Sequence, residues 1–300
     1  MRVVHSTAAA ALVEKTDLRD HLARVSAAEL RRKVEEIAIP RHFRFESENN
    51  RRIGEMIFSE LDSFGYQTRF QGRFRNVLAH NRAAENAPAV LVGAHYDSVP
   101  NCPGADDNAS AVAALLVAAR LIAEIAPEIP VCFAAFNCEE DGLVGSTDFV
   151  VNFLPGSFLQ ISRVHILEMI GFATDAPDSQ KMPPKLPVRA PAVGNFLGIL
   201  GNRESHTMID DALSLGKTYL PDFPLLGLKL YFGVEKLVPD LGRSDHYPFW
   251  QQKIPAVMWT DTSNFRNPHY HRRTDTPDTL DYSFMKKVTR LLLLNILSGR

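Results

Sequence analysis

Long apolar runs, blocks of like charge and cysteine are all scarce in this 300-residue sequence. No stretch approaches the ~18 consecutive apolar residues of a membrane-spanning helix, which predicts no membrane partner. No run of five or more like charges and no internal repeat occurs, so neither a polyelectrolyte tail nor a solenoid is expected. Lys and Arg total 33 against 35 Asp and Glu, which leaves no basic surplus for a nucleic-acid backbone. Cys102, Cys132 and Cys138 are an odd, sparse set, as free thiols in a reducing compartment would be. The apolar stretch in "MRVVHSTAAAALVEKTDLRD" is weak for a signal segment, so a cytoplasmic location is the expectation.

What is present is apolar periodicity of two kinds. Ser26 and Glu29 form a capping box ahead of "AAELRRKVEEIA", which Pro40 closes. Ile53, Met56, Ile57, Phe58 and Leu61 keep helical spacing up to a stop at Gly65. Residues 110–126 are apolar over much of a helix circumference and predict a buried helix. "YQTRFQG", "RNVLAHN", "AVLVGAH", "IPVCFAAFN", "SRVHILEMI" and "IPAVMWT" read as strands, and a long helix ends the chain. This alternation predicts an α/β fold, a three-layer sandwich with a mostly parallel central sheet. Residues 1–300 are read as a single domain, with 171–242, richer in Pro and Gly, an irregular excursion beside the active face.

The polar clusters sit at strand ends, where open α/β sheets bind ligands. In "HYDSVPNCPGADDNAS" (95–110), His95 and Asp97 point the same way on an extended segment. Asp97 there can orient the His95 ring and sharpen it as a metal ligand. Asp106, Asp107 or Asn108 can cap the following helix, or one of the two aspartates supplies a metal carboxylate. Glu139 and Glu140 follow an apolar strand and are expected to point to opposite sides, one to a metal and one to a substrate pocket. Glu168 interrupts the apolar "VHILEMIGF", a costly place for a carboxylate without a partner. In "NPHYHRRTDTPDTL", His271 and Asp275 read as ligand and support, with His269 a rival for the ligand. Asp245 and His246 read as supporting residues. Two His and three carboxylates suit zinc, with oxygen enough for a second ion. A pair of zinc ions explains how so many acids crowd together.

Together "HYDS", "GADDNAS", "NCEEDGLVGS", "LEMIG", "RSDHYPF" and "YHRRTDT" resemble the zinc-dependent exopeptidases that include bacterial leucyl aminopeptidases, glutamate carboxypeptidases and glutaminyl cyclases. The resemblance covers residues 89–171 and 242–280 and implies the zinc-exopeptidase (phosphorylase/hydrolase-like) fold. It implies metal ligation by His95, Asp107 (bridging), Glu140, Glu168 and His271. Glu168 stands where many members have Asp. It implies Glu139 as general base, Tyr270 as a group steadying the oxyanion, and a cis peptide at Asp107–Asn108. The expected activity is removal of N-terminal residues from peptides by water activated between two zinc ions. A glutaminyl cyclase with one zinc, a carboxypeptidase, an N-acyl amidohydrolase and a non-catalytic binding module are the rival readings. Arg243, Arg272 and Arg273 are candidates for a substrate carboxylate.

Overall fold

The computed structural model describes residues 1–13, 16–182, 188 and 190–299. Among these residues nine strands form one sheet: β1 (Arg2–His5), β2 (Gln67–Gln71), β3 (Asn76–His80), β4 (Ala89–His95), β5 (Val131–Phe136), β6 (Ile161–Glu168), β7 (Leu197–Gly201), β8 (Leu225–Lys229) and β9 (Ala256–Thr260). Their spatial order is β1-β8-β7-β9-β6-β4-β5-β3-β2. The helices are α1 (Thr16–Ala23), α2 (Ala27–Ile37), α3 (Ser47–Ser63), α4 (Ala111–Ile125), α5 (Val144–Asp148), α6 (His206–Tyr219), α7 (His246–Gln251) and α8 (Tyr282–Leu297).

Local signals act as read. The Ser26 hydroxyl accepts from the Glu29 amide at 3.3 Å and starts α2, whose Leu30, Val34 and Ile37 are buried along one stripe. Along α3, Ile53, Ile57 and Leu61 do the same, and Gly65 beyond it takes a φ of 90° that a side chain would strain. Every residue of β3 and β5 is buried, as the apolar runs require of central strands.

The sheet is mixed rather than mostly parallel, which corrects the expectation from sequence. β9, β6, β4 and β5 run parallel, as do β7 and β8. β7 opposes β9, β1 opposes β8, and β3 opposes both β5 and β2. Residues 171–242, read as irregular, hold β7, α6 and β8. The short runs "LGILG" and "LLGLK" give too little alternation to be recognised alone.

One apolar cluster joins α2, α3, α4, α6 and α8 to one sheet face. A smaller one covers the other face with Phe149, Leu241, Phe249 and Trp250. Residues Ala105–Ile125 are long and apolar enough to cross a membrane by length and composition, contrary to the sequence reading. Most of that apolar window, 78%, is buried inside the fold.

His165 on β6 lies in this sheet, 1% exposed, edge-on to Trp259 with ring centroids 5.6 Å apart. Neither of its ring nitrogens has a hydrogen-bond partner among the described residues. Burial, with the nearby Arg163 charge, lowers its pKa to about 3. The unfolded chain therefore takes up a proton below about pH 6.5 that the folded chain refuses. Stability is intact above that pH and falls on acidification, by about 1.4 kcal/mol per pH unit from this group. His165→Phe is expected to flatten the pH dependence of the urea midpoint between pH 6 and 4 by that amount. An unchanged slope would show that the imidazole is not held neutral.

Candidate metal centre

The parallel strands β4, β5, β6 and β9 all point their carboxyl ends at one place. His95 is the last residue of β4 and Glu168 the last of β6. Glu139 and Glu140 follow β5 on a turn that opens with Cys138 at φ 59°. Asp107 lies in the turn before α4, and His271 in the long loop after β9. Gly104 permits the first of these turns: its φ is 58°, and a Cβ there would collide with the Asp107 carbonyl oxygen. The Asp107–Asn108 peptide is cis.

Asp107 stands between the two histidines. Its Oδ1 is 3.3 Å from His95 Nε2 and its Oδ2 is 3.1 Å from His271 Nε2. Glu168 Oε2 is 3.4 Å from His95 Nε2, and Glu140 Oε2 is 3.3 Å from His271 Nε2. Two donor sets result, His95–Asp107–Glu168 and Asp107–Glu140–His271, each with ligand atoms within 4.8 Å of one another. Among the described residues, both ring nitrogens of His95 and Oε1 of Glu140 are buried without a hydrogen bond. Such atoms are costly unless something else satisfies them. Imidazole nitrogen and carboxylate oxygen in this mixture suit zinc, so the residues fit the metal.

The electrostatics agree. Burial by itself would lower both imidazole pKa values. Glu139, Glu168 and Asp107 instead raise that of His95 well above the ordinary value, and Asp107 with Glu140 pushes His271 up to about 10. Burial would raise the Asp107 carboxyl, yet His271 and His95 hold it well below the usual range. Burial and the Asp107 charge push Glu140 up to about 7. Burial also lifts Glu139 well above its usual value. The cluster thus gathers positive charge wherever it can, and cations held there would displace these protons.

Other groups fix the ligands in place. Asp97 Oδ1 is 3.5 Å from His95 Nδ1, and its carboxylate accepts the amides of Glu139 and Glu140 at 3.2 and 3.3 Å. One aspartate therefore sets the His95 ring and the Glu turn together. Asp275 accepts the amides of Asp106 and Asp107 at 2.9 and 3.1 Å. It supports Asp107, where the sequence had suggested a support for His271. Ser244 donates to Glu168 Oε2 at 2.7 Å, a contact that no spacing signal foretold. Buried Arg41 was also missed. It donates to the carbonyls of Tyr96, Pro103 and Gly104 and ties the 96–104 loop to the chain before α3.

The other candidates fall into place around this cluster. Glu139 and Glu140 do not diverge: with His95 they form one cluster within 4.8 Å, because they lie on a turn past the strand, where alternation no longer applies. Asp106 faces away from this cluster, accepting from the Gly171 amide and Asn267. His269 pairs with Thr274, and His246 with the Leu241 carbonyl. Tyr270 stacks on His271 with ring centroids 3.7 Å apart. Arg243 donates to the Tyr270 hydroxyl at 2.8 Å. Beside the cluster opens a cavity of about 390 Å³ whose lining includes Glu139, Arg243 and Tyr270 but neither Arg272 nor Arg273.

Asp275→Ala removes the acceptor of two buried amides. It is expected to destabilise the fold by about 2–6 kcal/mol in urea denaturation, at ~1–3 kcal/mol per orphaned group. A loss under 1 kcal/mol would mean that these amides find another partner.

The chain matches peptidase family M28 over residues 76–218 and 231–296, more than half its length. It is 34% identical over 228 residues to the uncharacterized protein YfbL of Escherichia coli, spanning 72% of this chain and 68% of that one. An aminopeptidase of Pseudomonas aeruginosa is 44% identical over 96 residues, which are 32% of this chain and only 18% of that protein. A probable zinc metalloprotease of Leptosphaeria maculans is 25% identical over 286 residues, 85% of this chain and 64% of that one. Among solved structures, LapA of Legionella pneumophila superposes with a TM-score of 0.76 at 18% identity, over 97% of this chain and 78% of that one. The family match, the relatives and the clustered histidines and carboxylates agree: the chain belongs to peptidase family M28 and is a metallopeptidase.

Proposed function

We propose that this zinc metallopeptidase holds two zinc ions and removes residues from the N-terminus of peptides. The observation that carries the reading is the Asp107 carboxylate, with one oxygen 3.3 Å from His95 and the other 3.1 Å from His271. A carboxylate so placed suits a bridge between two cations ~3.5–4 Å apart. His95 and Glu168 would hold one ion, and Glu140 and His271 the other. Zinc held there supplies Lewis acidity and lowers the pKa of water.

Glu139 is the general base. It is buried within the His95–Glu140 cluster, and its raised pKa suits a group that must both take and return a proton. It accepts a proton from the attacking water, whose oxygen bonds to the scissile carbonyl carbon. As the carbon–nitrogen bond breaks, Glu139 returns that proton to the leaving amine. The Tyr270 oxygen accepts from Arg243, so its own proton is free to donate to the carbonyl oxygen as charge develops there. Asp97 holds His95 and the Glu139 amide in one frame. The carboxylate-rich surroundings suit a substrate that enters with a free α-ammonium.

Metal analysis of the purified chain should find two zinc ions. Glu139→Gln should keep both and lower kcat on leucyl-nitroanilide by about 10²–10⁴. A chelator should abolish turnover and zinc restore it. One zinc ion with cyclisation of N-terminal glutamine would favour the cyclase reading instead. Tyr270→Phe should lower kcat by about 10²–10³, the usual cost of losing one oxyanion donor, with a smaller change in KM. Full activity in either variant would remove that residue from the mechanism.

A further inference from the structure

The cavity beside the metal centre is a trench across the sheet, not a socket for one side chain. Strand register defines it. Glu168 pairs with Thr260, Thr260 with Gly198, and Gly198 with Leu226. Two residues further from the carboxyl end of β6, Met258 pairs with Leu200, Leu200 with Leu228, and Leu228 with Val3 of β1. All these residues line the same cavity. Leu200, Leu226, Leu228 and Met258 are 7–9% exposed, whereas Leu197, Ile199, Val257 and Trp259 on the opposite face are at 0%. Gly198 puts no side chain in the path beside Thr260.

Length decides what fits. From Glu168 to Leu226 the row crosses three gaps between strands, about 14 Å at ~4.8 Å each. An extended chain advances about 3.5 Å per three bonds, so that span takes about a dozen bonds. A leucine side chain uses only three of them.

Polarity decides further. The sheet's backbone groups are already paired along these strands. Thr260 Oγ1 already accepts from the Thr262 amide at 2.9 Å. Gln180, Lys181, Asp240, Arg243, Ser244 and Asn264 also line the cavity, but the floor itself is Val3, Leu200, Leu226, Leu228 and Met258. A peptide lying along that floor would set N–H and C=O groups against apolar side chains, at a cost of several kcal/mol wherever they stay unpaired. An unbranched hydrocarbon has no such groups.

We propose that the trench takes a linear acyl chain of about a dozen carbons, and that the centre also hydrolyses amides joining such a chain to an amino acid or a peptide N-terminus. This rests on the amide-hydrolysis reading above and adds a substrate class to it. Water adds its oxygen to the acyl carbonyl carbon, the carbon–nitrogen bond breaks, and Glu139 passes the water's proton to the departing nitrogen. The products are a fatty acid and a free amine. The carbonyl sits by Glu168, and the chain runs across β9, β7 and β8 toward β1.

The test is a series of N-acylglycines with acyl chains from acetyl to hexadecanoyl, assayed with zinc-loaded enzyme beside leucyl-nitroanilide. The expected kcat/KM rises about two- to fourfold per added methylene and peaks near twelve carbons. Leu228→Trp closes the third gap and should move the peak to about eight carbons, the two gaps then left. Leu226→Phe serves should the tryptophan variant fail to fold. In zinc-loaded Glu139→Gln, calorimetry should find N-dodecanoylglycine bound at least tenfold more tightly than N-acetylglycine. A flat or falling length profile with leucyl-nitroanilide still cleaved would overturn the trench and leave the aminopeptidase standing. Cleavage of neither substrate would overturn both.

Discussion

Asp107 must stay ionised in a place where almost no water reaches it, and the rest of the site follows from that demand. The side chain is 4% exposed, and an isolated carboxylate so buried would take up a proton. His95 on one side and His271 on the other prevent it. They bring the ends of two distant chain segments to one carboxylate. Glu140 and Glu168 then complete a donor set on either side. The same crowding that would be repulsive among acids alone becomes a binding site once cations are supplied.

The fold meets this demand with a bundle of four parallel strands inside a mixed sheet. Parallel neighbours end on the same side, so His95, the Glu139–Glu140 turn, Glu168 and the loop after β9 arrive together. The antiparallel strands outside the bundle do different work. β3 and β2 close one edge. β7, β8 and β1 extend the other edge and provide the apolar floor beside the metal centre. The donor cluster and this floor thus lie beside one another along one sheet.

The site was more legible than the sheet. Metal ligands need particular residue types, and a histidine or acid at the end of an apolar run is conspicuous in a sequence. His95 and Glu168 stand out in that way, whereas the choice of Asp107 over Asp106, Glu140 over Glu139 and His271 over His269 came from the family resemblance. Strand direction is not written in residue type. β1, β7 and β8 are runs of four or five residues built around Val, Leu, Ile and Gly, and such runs fit a parallel or antiparallel neighbour equally well. The supports were hidden for another reason. Ser244 reaches Glu168 across 76 positions, and Asp275 reaches Asp107 across 168, separations at which no local pattern survives.

By itself the sequence determined the local events: the Ser26 cap of α2, the stop at Gly65, the buried strands, and the kinds of ligand the chain offers. These depend on neighbours a few residues apart, where propensity and spacing act directly. Only the tertiary structure decided that Glu139 and Glu140 share a cluster, that Asp275 serves Asp107, and that the floor beside Glu168 runs on to Val3. Those outcomes depend on which strands become neighbours. Packing the whole chain selects them, because burying charge and apolar surface is settled by the assembled fold and not by any one segment.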